Sequence, residues 1–360
     1  MSPRKQSTAR AVPVRNSSIA VVTVNYRTPA LTKRCIAAVA KERKGLPRLR
    51  AVVVDGGSAD GSAAELSAAL AKPAFASWVE FMPLSINGGF GWANNQAIQR
   101  LLQRAEPPEF IHLLNPDTEI EPDAIRFLAD YLLRHPRIAA VGSQLIDPDG
   151  SCAGSAFNFP SIRGEFARAA ATRPLERLFK IPPIAVDAAE AIEVDWVTGG
   201  SVLLRVEALR EVGLFDEGFF LYNEEVELMW RLRRAGWAVA TEPRSRVRHV
   251  GGGATGVTGR ATGARLEPRK PAYLFRSRTR YFGLTRGPAG AAAAYAAWLA
   301  GHAVWRARRL LGMPIGEPVD HEFRDHLRKA FPRKSDFAAA VAAAESEPTD
   351  LPAWMARRWL

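Results

Sequence analysis

Early in the chain, four short, mostly apolar runs each stop at a loop rich in Asn, Asp and Gly. The runs are residues 19–24 (IAVVTV), 51–54 (AVVV), 78–82 (WVEFM) and 111–114 (IHLL). Helical stretches lie between and after them: one from Pro29, which suits a first helical turn, one from Ser62, one over 92–104 and one over 123–134. Strand and helix in alternation predict an α/β domain with a parallel, doubly wound sheet. The loops after the strands would then gather along one edge, where open sheets bind ligands. Asn115-Pro116-Asp117 is the sharpest of these loops, because Pro116 cannot donate to a sheet ladder and the chain must turn. Asp117 is left at the carboxyl end of a core strand. A carboxylate there can hold a hard cation, and the cation can neutralise a diphosphate. The plainer alternative is an Asx-type turn without a ligand.

Farther on, residues 138–146 read as a strand closed by Asp147-Pro148-Asp149-Gly150. Residues 194–197 and 201–205 read as strands around Thr198-Gly199-Gly200, and 206–212 as a short helix. Residues 213–220 form a turn with two exposed-looking aromatics. The helix over 224–235 keeps Val226, Met229 and Leu232 on its core side and carries Glu224 and Glu225 in its first turn. The helix dipole favours carboxylates there, and an ionised carboxylate can take the proton of an attacking hydroxyl. Acids at helix starts are also favourable without any chemistry. The strand ending at residue 250 closes the globular part.

The remainder has another character. Residues 163–180 are basic with Phe and Leu interspersed and are broken by Pro174, which suits a surface helix pair. Residues 273–284 (YLFRSRTRYFGL) predict an aromatic-basic helix. Residues 289–311 are Ala-rich and carry Tyr295, Trp298, Leu299, His302 and Trp305, ending in Arg306, Arg308 and Arg309. That stretch reads first as a helix in a bilayer interface, with a buried packing helix and a membrane span as alternatives.

With 360 residues the chain can bury a sizeable core, and its net charge of +12 suits nucleic acid, anionic lipid or a phosphorylated substrate. No zinc, RNP or helix-turn-helix pattern supports nucleic acid. A dinucleotide oxidoreductase needs GxGxxG after the first strand, where NYRTPA stands instead. The two cysteines, Cys35 and Cys152, are far apart and predict free thiols. The polar, basic N-terminus lacks the apolar core of a secretory leader.

Five segments, in order, resemble glycosyltransferase family 2, and particularly its rhamnosyltransferase-like branch. They are VVTVNYRTPALTKRCI, AVVVDGGSADGS, NGGFGWANNQAI, HLLNPDTEIEPDAI and VTGGSVLLRVEALREVGLFDEGFFLYNEEVELMWRLRRAGW. The resemblance runs from about residue 19 to 249 and implies a GT-A fold, a Rossmann-like mixed sheet flanked by helices. It implies a nucleotide-sugar site in which Thr23, Asn25 and Tyr26 border the base and Asp55 bonds it. Asn87, Gly89 and Asn95 would flank the nucleotide. Asn115-Pro116-Asp117 stands where the family has Asp-x-Asp, with Asn115 in place of the first acid. Asp117 and His249 would hold Mg²⁺ or Mn²⁺. Glu224-Glu225 stands where the family has Glu-Asp, which makes Glu225 the expected base and Glu224 its alternative. Trp196, Gly199, Gly200 and Phe220 would line the acceptor side, and Arg231 would brace its helix.

The implied activity is inverting, metal-dependent transfer of a sugar, with dTDP-rhamnose as the leading donor, to a hydroxyl of a bacterial surface glycan or its lipid-linked precursor. UDP- or GDP-sugar donors and a catalytically inactive scaffold are the alternatives. The expected organisation is a disordered segment 1–17, a GT-A domain 18–250, a mobile Gly-rich loop 251–266, aromatic-basic helices 267–312 and a tail 313–360. The expected location is cytoplasmic, peripheral at the inner face of the membrane. Oligomeric state is left open.

Overall fold

A computed structural model describes residues 13–172, 177, 180–249, 269–313 and 321–330. The strands are β1 (Ile19–Asn25), β2 (Leu49–Asp55), β3 (Val79–Pro83), β4 (Phe110–Leu114), β5 (Thr118–Ile120), β6 (Ile138–Ile146), β7 (Ala156–Phe157), β8 (Ile192–Val194), β9 (Trp196–Val197), β10 (Ser201–Arg205) and β11 (Ala238–His249). The helices are α1 (Pro29–Glu42), α2 (Ser62–Leu70), α3 (Pro73–Ala76), α4 (Phe90–Leu102), α5 (Ala124–Arg134), α6 (Ile162–Ala170), α7 (Val206–Val212), α8 (Glu224–Arg234), α9 (Ala272–Leu310) and α10 (Glu322–Lys329).

The main sheet runs β3-β2-β1-β4-β10-β6-β11-β5, with β8 on the flank of β11. Strands β1 to β4 are parallel, as their alternation with helices predicts. Strand β10 then enters antiparallel between β4 and β6, so the sheet is mixed and the purely parallel expectation is corrected. One face of the sheet is covered by α4, α7 and α8 around Trp92, Leu209 and Met229. The other is covered by α1, α2 and α5 around Ile36, Leu66 and Leu128. Through the sheet's middle runs a buried polar row, His112 to Ser201 (2.9 Å), Ser201 to Ser143 (2.7 Å) and Ser143 to Ser245 (2.8 Å). Burial pushes the His112 pKa down to about 3, so the ring is neutral.

Helix α9 is bent at Gly287-Pro288 and packs on α6 and α8. Its aromatics Tyr281 and Phe282 pack against Phe219 and Val226, and Trp298 is 1% exposed. Gly301 allows α9 to touch α6, since a Cβ there would sit 2.2 Å from the Phe166 carbonyl oxygen. Arg278 pairs with Glu165 of α6, and Arg308 donates to the carbonyls of Ala170 (3.0 Å) and Ala171 (2.9 Å). Trp298, read as part of an interfacial helix, is buried in the protein instead, as are Tyr281 and Phe282. Among the described residues no helix is long and apolar enough to cross a membrane. The exposed apolar side chains of this region are Leu310, Leu311, Met313, Phe323 and Leu327, at the end of α9 and on α10.

Of the segment expected to be disordered, residues 1–12 lie outside the described residues. Val14–Asn16 form a 3-10 turn and Ser17 is buried. The Gly-rich loop 251–266, most of the stretch 173–179 and the tail 331–360 also lie outside them.

Candidate active site

The loops following β1, β2, β3 and β4 do meet along one edge, and a hydrogen-bond latch joins the first two. Asn25, fully buried, donates from Nδ2 to Asp55 Oδ1 (2.6 Å) and accepts from the Thr32 hydroxyl (2.9 Å). Ser58 donates its hydroxyl to Asp55 Oδ1 (2.7 Å) and its backbone N–H to Oδ2 (3.1 Å). The backbone N–H of Arg27 donates to Ser58 Oγ (2.9 Å). Asp55 is therefore a buried bracket, and the half-buried Tyr26, with the Arg27 guanidinium 5.1 Å from its ring, is the group that borders open space. Thr23 is buried within β1. Ser58 was not anticipated, although the three-residue spacing in DGGS is the signature of an Asp side chain capping its own turn.

The loop after β3 is held between its neighbours. Exposed Asn87 accepts the Gly89 N–H at 3.0 Å. Gly89 has φ +94, and a Cβ there would lie 1.9 Å from the Phe220 carbonyl oxygen, so only glycine fits. The next N–H, of Phe90, donates to that same carbonyl at 3.1 Å. Asn95 faces elsewhere than the resemblance suggests. Both ends of its amide are taken by the 213–220 turn: Oδ1 accepts from Phe215 N (3.1 Å), and Nδ2 donates to Phe215 O (2.9 Å) and Glu217 (3.0 Å).

Asn115-Pro116-Asp117 ends β4 as anticipated. Its support comes from below, where Thr118 donates to the Asn115 carbonyl (2.6 Å) and the buried Cys35 thiol approaches the same oxygen at 3.6 Å. Strand β11 pairs with β5 so that His249 stands opposite Thr118. This register brings His249 Nε2 to 3.4 Å from Asp117 Oδ1. Among the described residues no three His, Cys, Asp or Glu side chains converge. One carboxylate and one imidazole at this distance fit a divalent cation whose other ligands are diphosphate oxygens and water.

The β9–β10 turn bridges this corner to α8. Asn115 N donates to Gly200 O (3.0 Å), while Gly199 lies beside the Phe90 ring and Glu225. Glu224 is 2% exposed and Glu225 is half-buried. Burial, and then the charge of Glu225, push the Glu224 pKa well up, and burial also raises that of Glu225. Each keeps one oxygen without a hydrogen-bond partner among the described residues. Glu225 is the more exposed of the two, and the inner Glu224 is the one that burial shifts further toward its neutral form. Arg231 braces the helix: it is 8% exposed, bonds Glu227 (2.8 Å) and donates to the carbonyls of Val212 (2.7 Å) and Leu214 (2.6 Å). Trp196 stacks on Phe157 (4.2 Å) and donates its indole N–H to Asn158 O (3.1 Å). Phe220 is 39% exposed, whereas its neighbour Phe219, also expected at the surface, is buried under α9.

A mixed sheet with an acid at the end of its central strand, and a carboxylate pair opening a helix on the same edge, defines the GT-A class of glycosyltransferase. The comparisons agree. Residues 18–212 match the model of "Glycosyl transferase family 2". The chain is 33% identical, over 250 residues, to an N-acetylglucosaminyl-diphospho-decaprenol L-rhamnosyltransferase of Mycobacterium tuberculosis, covering 66% of this chain and 77% of the relative. In structure it is similar to GalNAc-T7 solved with UDP, GalNAc and Mn²⁺ (TM-score 0.51, 17% identity, 75% of this chain and 50% of that one). It is also similar to a mannosyltransferase of Pyrobaculum calidifontis solved with GDP-Man and Mn²⁺ (TM-score 0.52, 14% identity, 95% and 84%). The chain belongs to glycosyltransferase family 2 and is a rhamnosyltransferase-like glycosyltransferase.

Proposed function

We propose that the enzyme is inverting and metal-dependent, and that it moves rhamnose from dTDP-rhamnose to a hydroxyl of a lipid-linked precursor of a bacterial surface glycan. Similarity to the mycobacterial rhamnosyltransferase supports rhamnose as the transferred sugar and a lipid-linked acceptor. The observation that carries the chemistry is the Gly199-Gly200 turn, which adjoins Glu225 at Gly199 and Asn115 of the Asn115-Pro116-Asp117 loop at Gly200, with His249 3.4 Å from Asp117. The acceptor hydroxyl gives its proton to Glu225 as its oxygen bonds to C1 of the donor sugar. The bond from C1 to the diphosphate oxygen breaks on the opposite face, so the configuration at C1 inverts. Asn115 and Asp117 border the diphosphate, and Tyr26 borders the base. Asn25, Asp55 and Thr23 act as the frame behind them. A cation held by Asp117 and His249 would neutralise the departing diphosphate.

Lipid-linked acceptors lie at a membrane, and the exposed Leu310, Leu311 and Met313 beside Arg306 and Arg309 suit a peripheral contact with its cytoplasmic face. The test is to offer dTDP-, UDP- and GDP-sugars with N-acetylglucosaminyl diphosphoprenol, with Mg²⁺, Mn²⁺ or chelator. Transfer from dTDP-rhamnose alone, lost in chelator, with inverted product by NMR, is expected. A preference for a UDP- or GDP-sugar overturns the donor, and full activity in chelator overturns the metal. Binding without turnover of any sugar points to a scaffold.

A further inference from the structure

We infer that Tyr273, together with Tyr222 and Phe220, forms an aromatic platform on which a pyranose ring of the acceptor stacks, so that α9 supplies part of the acceptor site. The inference rests on the acceptor side being where Proposed function puts it, next to Glu225. Tyr273 lies in the first turn of α9, beyond the part of the chain that matches the family. Its ring centroid is 5.4 Å from that of Phe220 and 6.0 Å from that of Tyr222. Phe220 and Tyr222 belong to the segment that leads into α8, and Tyr273 meets them from α9.

That segment is held in place from three directions. Arg280 of α9 bonds Asp216 (2.8 Å), with its guanidinium 5.4 Å from the Phe219 ring. Ser277 of α9 donates to Leu221 O (2.8 Å). Phe90 N donates to Phe220 O (3.1 Å). Tyr222 and Asn223 both have left-handed backbones, φ 70 and 69; Asn adopts that state readily, but for Tyr222 it is costly and survives only where the surroundings over-determine it. The result is that Tyr222 precedes Glu225 by one tight turn, and the Phe90 ring connects Phe220 to Gly199 beside Glu225.

A sugar ring matches this surface better than a prenyl chain does. Its C–H face covers the rings, and its hydroxyls can bond the Tyr273 phenol at their rim, which a prenyl chain cannot do. Rigid aromatic side chains supply such contact at small entropic cost.

The experiment measures acceptor KM, donor KM and donor hydrolysis for the full chain and for Tyr273→Leu and Tyr273→Phe. The probes are N-acetylglucosaminyl diphosphate on a short alkyl chain and on a long prenyl chain. Tyr273→Leu, which keeps apolar bulk but loses the ring, should raise the acceptor KM about tenfold on both probes. Donor KM and donor hydrolysis should hold, and Tyr273→Phe should recover most of the loss. An unchanged acceptor KM in Tyr273→Leu overturns the inference while wild-type transfer keeps the function. A penalty on the prenyl probe alone means the rings hold lipid, and an equal rise in donor KM means Tyr273 only props the loop; both overturn it. If the wild-type chain neither binds nor glycosylates either probe, the acceptor reading itself falls and this inference falls with it.

Discussion

The two sides of the active-site edge are built on opposite principles. On the side after β1 and β2, Asn25, Asp55 and Ser58 spend their side-chain hydrogen-bonding groups on one another and on the backbone of their own loops. On the α8 side, Glu224 and Glu225 each keep one oxygen without a partner among the described residues, and the turn before them is strained at Tyr222. A satisfied buried network is rigid and unreactive, while desolvated carboxylates are poised to exchange protons. In the proposed mechanism the first side frames the ligand and the second takes the proton.

The largest expected effect falls where the two sides meet. Asp117→Asn removes the only acid of the Asn115-Pro116-Asp117 turn, and the loss of several kcal/mol of charge stabilisation should cut turnover on the order of 1000-fold or more. Isothermal titration of the nucleotide with Mn²⁺ should show weakened binding as well. Unchanged turnover would detach the metal from the frame side altogether.

Next comes the α8 side alone. Glu225→Gln should lower turnover by roughly 100-fold or more with donor affinity intact. The base must be ionised, and burial raises its pKa, so the acid limb of the rate profile should lie above the ordinary carboxylate range and activity should rise with pH through it. Glu224 gives a separate handle. Its folded-state pKa is raised, so the native state holds a proton that the unfolded state releases, and stability is lost as pH climbs from the unfolded value through the folded one. Glu224→Gln should therefore raise Tm more at pH 8 than at pH 5. If Glu224→Gln instead matches the predicted loss of turnover for Glu225→Gln, the two acids exchange roles.

A smaller effect on turnover, but a large one on stability, is expected at the joint behind α8. Arg231→Met strands the buried Glu227 and three carbonyls, and breaking such a pair costs about 3–5 kcal/mol. Tm should fall sharply while the folded fraction keeps its kcat. Arg231→Lys should recover little, since an ammonium cannot reproduce the forked contacts. A kcat loss without a Tm loss would place Arg231 on the reacting side instead.

What could be read from the sequence divides along the same line. The frame side is local: each strand hands its ligands to the loop that follows it, so β1 to β4 and the Asn115 turn were legible from pattern alone. The direction of β10 was not, because a five-residue apolar run looks the same in either orientation. Asn95 could not be placed because its partner Phe215 lies 120 residues away. Tyr273 carried no signal for the same reason. Trp298 was read with an interfacial helix because rings near arginines suit a bilayer interface and a packed helix equally.

That ambiguity leaves the membrane contact to be tested on the side chains that the fold does not use. Arg308 is a poor probe, since its bonds to Ala170 and Ala171 fasten α9 to α6. Arg306 and Arg309 are exposed, and Leu310 and Leu311 beside them are 88% and 76% exposed. Lipid attraction worth about 1 kcal/mol for each basic residue predicts that Arg306→Glu with Arg309→Glu weakens sedimentation with anionic vesicles by well over tenfold at low salt. Leu310→Ser with Leu311→Ser should add a further loss that salt does not mimic, because that part is apolar burial. Tm and transfer to a short-chain acceptor should hold in both variants, as neither pair belongs to the frame or to the proton-moving side. If the parent chain ignores anionic vesicles at low salt, the end of α9 is a surface of another kind, and access to a lipid-linked acceptor must be explained from the active-site edge alone.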